Sequence, residues 1–163
     1  TTGRLARHLV ARRDLTVVTN GLTVILALAE RTDVELIVLG GKLRHPNESI
    51  VGQAAYQQLR RVRPDRVFLG ADALSATHGV SCPTLELAEL KHAMLRSARE
   101  AYIVIDHSKL ARTHFPFWAP LDRPHTVVVD AGATEVALHP FTERGSKLLV
   151  PEGPVVGAGV GGS

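Results

Sequence analysis

The sequence predicts an α/β domain with a layered, mostly parallel sheet and helices on both faces. Six short runs of β-type residues divide the chain, at residues 15–18, 34–39, 66–69, 102–105, 126–129 and 148–150. Most of these runs are continuously apolar rather than alternating, a pattern typical of parallel strands that are covered on both faces. Helical segments lie between them, and strands that alternate with helices favour right-handed crossovers. With 163 residues, 45% of them apolar and 21% charged, the chain is long enough for one globular core.

Four helices are predicted between the strands, over residues 21–31, 53–61, 85–99 and 134–143, and the chain opens in a further apparent helix. The first of the four follows Asn20 and the third follows Thr84, and both residues are good helix N-caps. Pro140 is expected to interrupt the end of the last helix. In the third helix, apolar residues recur at helical spacing, at Leu87, Leu90, Met94 and Ala98.

Three segments do not fit the strand and helix alternation. Residues 40–51 contain Pro46 and are too short for a crossover helix, so we expect a loop or a small hairpin. Residues 107–120 are predicted as a long loop whose aromatic residues form a local packing cluster or a subunit contact, namely Phe115, Phe117 and Trp118. Residues 151–163 hold five glycines and two prolines and are expected to be a flexible tail, which leaves residues 1–150 as the domain.

The composition excludes several classes of protein. The single cysteine, Cys82, excludes a disulfide framework and a multi-cysteine zinc site, and we interpret it as structural. The eight histidines lack metal-ligand spacing, so neither a metal nor a cofactor is expected. No apolar run approaches the roughly 20 residues that span a bilayer, and the N-terminus lacks a signal-peptide pattern. These features predict a cytoplasmic protein.

Arginines are crowded in two regions, which leaves two interpretations open. Nucleic-acid binding is one reading of such clusters, and a solvated helix face is the other. The net charge is only +3, so we favour the solvated face. The two clusters consist of Arg4, Arg7, Arg12 and Arg13, and of Arg60, Arg61, Arg63 and Arg66.

Ligands of open α/β sheets bind outside the carboxyl ends of the strands. Glycines and short polar residues follow most of these ends and would suit a hydroxyl-rich anion, so a sugar phosphate is the expected ligand. Each residue also has a plainer interpretation as a turn or cap residue, although a strand end rarely needs three polar residues for turn chemistry. The candidates are Thr19, Asn20, Gly40, Gly41, Asp72, Asp106, Ser108 and Lys109.

Two further candidates lie on the third predicted helix. Glu86 is favourable near a helix start without any ligand, because the helix dipole is positive there. Lys91 follows five positions later, about 140° around the helix, so the two side chains do not share one face.

The order of these motifs resembles the C-terminal effector-sensing domain of the DeoR family of bacterial transcriptional repressors. Each motif is unspecific alone, but together in the correct order over roughly residues 1–130 they are specific. The resemblance is carried by Leu15-Thr16-Val17-Val18-Thr19-Asn20, Val38-Leu39-Gly40-Gly41-Lys42-Leu43-Arg44, Ser49-Ile50-Val51-Gly52, Phe68-Leu69-Gly70-Ala71-Asp72, Glu86 through Lys91-His92-Ala93-Met94, and Asp106-His107-Ser108-Lys109.

This resemblance implies a Rossmann-like fold similar to ribose-5-phosphate isomerase and a domain that binds a phosphorylated sugar. It also implies a homo-oligomer and an N-terminal helix-turn-helix domain that binds operator DNA, which we expect to be absent from this chain together with the first strand. Thr1 and Thr2 look like the end of the family's phosphate-binding loop. The implied pocket residues are Thr19, Asn20, Gly41, Asp72, Glu86, Lys91, Asp106 and Lys109.

A sugar-phosphate isomerase or deaminase on the same architecture is the alternative, because fold does not fix function. Isomerisation needs a positioned carboxylate to move a proton between adjacent carbons. The isomerases carry an acidic residue where this chain has Leu69, which weakens that alternative. We therefore expect a sensor that is not an enzyme.

Overall fold

The computed structural model describes residues 2–9, 14–45, 48–110 and 115–151. Within them five helices are formed, α1 (Thr2–His8), α2 (Leu22–Leu28), α3 (Gln53–Leu59), α4 (Leu85–Ser97) and α5 (Glu135–Glu143). The strands are β1 (Leu15–Thr19), β2 (Val34–Val38), β3 (Lys42–Arg44), β4 (Ser49–Val51), β5 (Arg66–Gly70), β6 (Leu74–Ser75), β7 (Gly79–Cys82), β8 (Glu100–Ile105), β9 (Phe117–Ala119), β10 (Thr126–Val129) and β11 (Lys147–Leu149). Residues 152–163 of the expected tail lie outside the described residues, and so do Pro46 and Asn47.

A parallel four-stranded sheet forms the centre of the fold, in the order β11-β10-β8-β5. A second parallel pair joins β1 to β2, with Leu15 opposite Val34. All six predicted strands are present, and the mixed α/β class with a parallel sheet flanked by helices is confirmed. Parallel pairing places the carboxyl ends of β5, β8 and β10 at one edge of the sheet.

Burial differs between the two faces of the central sheet. In β8, Ala101, Ile103 and Ile105 are buried in the main core together with residues of α4 and α5, whereas Tyr102 is only half-buried. On the second face, α1 reaches Gly70, where a Cβ atom would lie 3.9 Å from Cγ2 of Thr2. The apolar strands of the sheet are therefore not uniformly buried.

Antiparallel strands form the two smaller sheets. β3 and β4 pair as a hairpin within residues 40–51, which the sequence left open between a loop and a hairpin. β6, β7 and β9 form a three-stranded sheet that the sequence did not predict. The expectation of a loop throughout residues 107–120 is therefore wrong, because Phe117–Ala119 pairs with β7. Adjacent strand residues point to opposite faces, so Phe117 and Trp118 do not share one cluster. The ring of Trp118 packs beside that of His78, with 5.2 Å between the ring centroids.

One of the two predicted helix caps is confirmed and the other is wrong, and Pro140 does not interrupt its helix. Thr84 caps α4 by accepting a hydrogen bond from the Leu87 amide at 3.3 Å. Asn20 does not cap α2, because its side-chain amide donates to the Ile50 carbonyl at 3.0 Å instead. Pro140 does not end α5, which continues to Glu143. The proline removes a bond to the carbonyl of the 85% exposed Val136, where water can replace it.

Candidate functional site

Lys91 lies at the carboxyl end of β5, where its Nζ donates a hydrogen bond to the Gly70 carbonyl at 2.9 Å. Burial lowers the pKa of Lys91, because a low-dielectric environment disfavours the charged ammonium. The negative charge of Asp72 acts in the opposite direction, and the positive charge of Lys109 adds to the lowering. Asp72 and Lys109 therefore each lie within electrostatic reach of Lys91.

The turn that follows β8 brings three predicted residues together. Asp106 caps the 3₁₀ turn His107–Lys109 by accepting hydrogen bonds from the backbone amide of Ser108, at 3.1 Å, and from its hydroxyl. The bond from the Ser108 hydroxyl is the largest cause that lowers the pKa of Asp106. The Lys109 ammonium lies 3.5 Å from the second Asp106 oxygen. The turn thus carries one carboxylate, one hydroxyl and one ammonium on four consecutive residues.

A second acidic residue fixes this turn from the neighbouring strand. Asp130 follows β10 and accepts from the His107 amide at 2.8 Å, from His107 Nδ1 at 2.6 Å and from the Gly132 amide at 2.9 Å. The two backbone bonds are the main causes that lower the pKa of Asp130 to about 2. Sequence reasoning did not include His107 or Asp130 among the candidates. The available signal was their position, since both follow strands that end at the same edge of the sheet.

The candidates at the ends of β1 and β2 have different partners, and among Thr19, Asn20 and Gly40 it is Asn20 that bonds the β3–β4 hairpin. The Asn20 carbonyl accepts from the Ile50 amide at 2.7 Å, so Asn20 bonds the hairpin through both its backbone and its side chain. The Thr19 hydroxyl accepts from the Gly21 amide at 3.1 Å. The Gly40 amide donates to Gln58 Oε1 at 2.7 Å.

Gly41 is required by a close backbone approach. Its φ is +147°, and a Cβ atom there would lie 2.3 Å from the Val51 carbonyl oxygen. This glycine therefore has a structural role in the hairpin, whatever it contacts besides.

Glu86 occupies the first turn of α4, as its favourable interaction with the helix dipole predicts. One of its oxygens lies 3.6 Å from the position that a Cβ of Gly52 would take. Glu86 also lines a cavity of about 390 Å³, together with Tyr56, Glu89 and His92. Lys91 does not line that cavity, which agrees with the predicted angular separation of the two side chains on the helix.

The contacts divide the predicted residues into two groups. One group surrounds the ends of β5 and β8 and consists of Thr2, Asp72, Lys91, Asp106, Ser108 and Lys109. The other adjoins the β3–β4 hairpin and consists of Thr19, Asn20, Gly40, Gly41 and Glu86. Thr1 lies outside the described residues.

The first group has the chemistry of an anion site with hydroxyl partners. Two ammonium groups can hold a negative charge, while carboxylates and the Ser108 hydroxyl can bond sugar hydroxyls. Cys82 adjoins this group but is fully buried, and burial raises the pKa of its thiol, so it remains a neutral core residue. Among the described residues, no group of three or more His, Cys, Asp or Glu side chains could hold a metal ion.

A search of the helices among the described residues finds none with the length and apolarity that crossing a membrane requires.

Comparison with known proteins gives a consistent family. The model of the DeoR C-terminal sensor domain matches residues 1–131. A relative from Escherichia coli O157:H7, whose name describes an aga operon transcriptional repressor, is 32% identical over 92% of this chain and 56% of its own length. The HTH-type transcriptional repressor GlcR of Bacillus subtilis is 29% identical, over 90% of this chain and 56% of its own length. The lactose phosphotransferase system repressor of Staphylococcus aureus is 31% identical, over 80% of this chain and 52% of its own length.

The chain therefore spans about half the length of the curated relatives it matches. Among solved structures, the decarboxylase AibA/AibB aligns with a TM-score of 0.47 and 14% identity, over 94% of this chain and 88% of that chain. A likeness at that level carries no information about the function of this chain.

Proposed function

Because the chain belongs to the DeoR family as a C-terminal sensor domain, we propose that it binds a phosphorylated sugar or a related metabolite. Binding changes the operator affinity of an N-terminal helix-turn-helix domain in the longer protein, and the sensor itself does not catalyse a reaction. The residues that we assign to the ligand are Thr1, Thr2, Asp72, Lys91, Asp106, Ser108 and Lys109, with Thr19, Asn20, Gly40, Gly41 and Glu86 on the hairpin side.

The observation that carries the proposal is the part-buried position of Lys91 at the end of the sheet, with a second ammonium, that of Lys109, within electrostatic reach. Burying a charge is costly unless an opposite charge offsets it, and a second ammonium nearby increases that cost. A phosphate group bound between the two lysines would add negative charge to that of Asp72 and Asp106. Asp72 and Asp106 would accept hydrogen bonds from the hydroxyls of the sugar.

The names of the relatives support the same ligand class and the same role. One is named for the aga operon and another for the lactose phosphotransferase system, and both are called repressors. GlcR is described as an HTH-type repressor, which supports a DNA-binding helix-turn-helix in the part of such proteins that this chain does not span.

The signal reaches that DNA-binding domain by a population shift. The ligand binds one arrangement of the loops around Asp72 and residues 106–109 better than the other, and so favours it. In a homo-oligomer the favoured arrangement then changes the relative placement of two DNA-binding domains that read two half-sites.

Thermal unfolding with a panel of sugar phosphates tests the ligand class. At a ligand concentration about 100 times Kd, mass action adds about 2.7 kcal/mol, which raises the Tm by roughly 5 °C or more. Lys109→Ala should weaken the shift, whereas Lys147→Ala, on the exposed strand β11, should preserve it. If no sugar phosphate of the panel changes the Tm, this ligand class is ruled out.

An activity assay separates the sensor from the alternative enzyme. We expect no turnover of ribose 5-phosphate or glucosamine 6-phosphate by the purified domain. If the domain turns over either substrate and Asp72→Asn abolishes that turnover, the domain is an isomerase or a deaminase and not a sensor.

A further inference from the structure

The turn after β8 carries the exposed edge of the proposed site. Residues 111–114 lie outside the described residues. Among the described residues, Leu110 forms a β-bridge with Leu74 directly after the turn, and the segment after β10 contacts the turn itself.

Asp130 supplies those contacts with both oxygens of one carboxylate. One oxygen accepts the His107 backbone amide at 2.8 Å, and the other accepts His107 Nδ1 at 2.6 Å together with the Gly132 amide at 2.9 Å. An ionised carboxylate can only accept, so the proton of this contact must lie on Nδ1 of His107. The ring is thus fixed in both orientation and protonated position.

Gly132 makes room for the ring. A Cβ atom at this position would lie 2.4 Å from His107 Nδ1 and 2.5 Å from Cε1, a separation that no side chain tolerates without movement. The absence of a side chain at position 132 is therefore a condition of the contact between Asp130 and His107.

We propose that Asp130 is a positioning residue that, by holding His107 against Gly132, fixes the turn carrying Ser108 and Lys109 and so places the Lys109 ammonium at the site. The use of that ammonium for an effector rests on the proposed function, but the positioning itself does not. The carboxylate acts through His107 and is not assigned a contact with the ligand.

The reactivity of Lys109 tests the positioning without any ligand. Limited acylation followed by mass spectrometry compares Lys109, whose side chain is 30% exposed and 3.5 Å from Asp106, with the exposed Lys147 in the same sample. Asp130→Asn weakens the contact and Gly132→Ala obstructs it sterically, so each should raise the relative acylation of Lys109 at least about threefold through local opening. Hydrogen exchange of the His107 amide should rise in parallel.

Asp122→Asn is the matched control, since Asp122 also accepts from a histidine, His92 Nε2, at 3.0 Å on another part of the surface. It should leave Lys109 acylation unchanged. If Lys109 reacts at the wild-type rate in both Asp130→Asn and Gly132→Ala, the proposal is wrong.

NMR of the wild-type protein tests the same contact even if a variant does not fold. The nitrogen chemical shifts of the His107 ring should show a proton on Nδ1 throughout the neutral range, because the Asp130 carboxylate can only accept there. A neutral ring protonated on Nε2 alone would overturn the proposal.

Binding of ribose 5-phosphate and inorganic phosphate separates the two proposals. If a probe binds, Asp130→Asn should weaken it about tenfold through the displaced Lys109. If neither probe binds but Lys109 acylation rises, the positioning stands and the ligand class fails. If a probe binds the wild type and Asp130→Asn equally, and Lys109 acylation does not change, the positioning fails and the ligand class stands.

Discussion

The Lys91 ammonium donates its hydrogen bond to the Gly70 carbonyl, at 2.9 Å, at the end of the strand that begins the candidate site. This contact joins the middle of α4 to the edge of the central sheet. It keeps a positive charge at a part-buried position, where the charge is costly unless negative groups offset it.

Lys91→Met tests whether that charge serves binding rather than folding. The substitution removes the bond to Gly70 but also the cost of burying an ammonium, so the free energy of unfolding should change by less than about 1.5 kcal/mol. Affinity for a sugar phosphate should fall at least about tenfold. Calorimetric titration and urea unfolding measure the two quantities, with Lys147→Met as the exposed control.

The difference in stability between the wild type and Lys91→Met should depend on pH. Burial lowers the pKa of Lys91 in the folded state below the ordinary value of 10.5, so the unfolded chain binds more protons between the two values. The stability of the wild type relative to Lys91→Met should therefore increase as pH rises through that interval. Urea unfolding of both proteins at about pH 7.5 and about pH 9.5 measures the difference. A difference that falls with pH would contradict the burial of a charged amine.

Asp130→Asn should change the acid stability of the domain. The bonds from His107 and Gly132 lower the pKa of Asp130 from 3.8 to about 2, so the ionised carboxylate stabilises the fold above the higher value. That contribution is lost as pH falls from 3.8 towards 2. The wild type should be more stable than Asp130→Asn at neutral pH, and the difference in Tm between the two proteins should disappear near about pH 2. Asp65→Asn removes a carboxylate that is 85% exposed and should show little difference at either end.

Arg123 should stabilise the C-terminal end of α4. Its guanidinium donates to the carbonyls of Leu95 at 2.8 Å, Ala98 at 2.6 Å and Arg99 at 3.2 Å, which the helix leaves without amide partners. Arg123→Met should lower the free energy of unfolding by about 2 kcal/mol, since hydrogen bonds from a charged donor are worth more than neutral ones. Chemical unfolding of the wild type and the variant measures this loss of stability. Arg99→Met, at a side chain that is 84% exposed, should cost less than about 0.5 kcal/mol.

Two adjacent glycines should respond very differently to alanine. Gly41→Ala places a Cβ 2.3 Å from the Val51 carbonyl oxygen at a φ of +147°, so we expect a loss of at least about 2 kcal/mol. At Gly40 the nearest atom would be 3.6 Å away, and Gly40→Ala should cost less than about 1 kcal/mol. Thermal unfolding of the two variants provides the comparison, and equal losses would contradict the assigned geometry.

The sequence by itself determined the elements whose causes are local. Continuous apolar runs marked all six parallel strands, and Thr84 marked the start of α4 because a capping side chain bonds an amide three residues away. The polar group after β8 was also visible, since Asp106, Ser108 and Lys109 meet within a single turn. Such interactions depend on neighbours in the chain, and the sequence contains them directly.

Only the tertiary structure decided which distant residues meet. β9 pairs with β7 across more than 30 residues, and Asn20 bonds Ile50 instead of capping its own helix. Asp130 reaches His107 from the next strand of the sheet. Each of these contacts depends on the register and packing of elements that are far apart in sequence. A backbone amide or a carboxylate bonds whichever partner the folded chain brings within 3 Å, and local composition does not encode that choice.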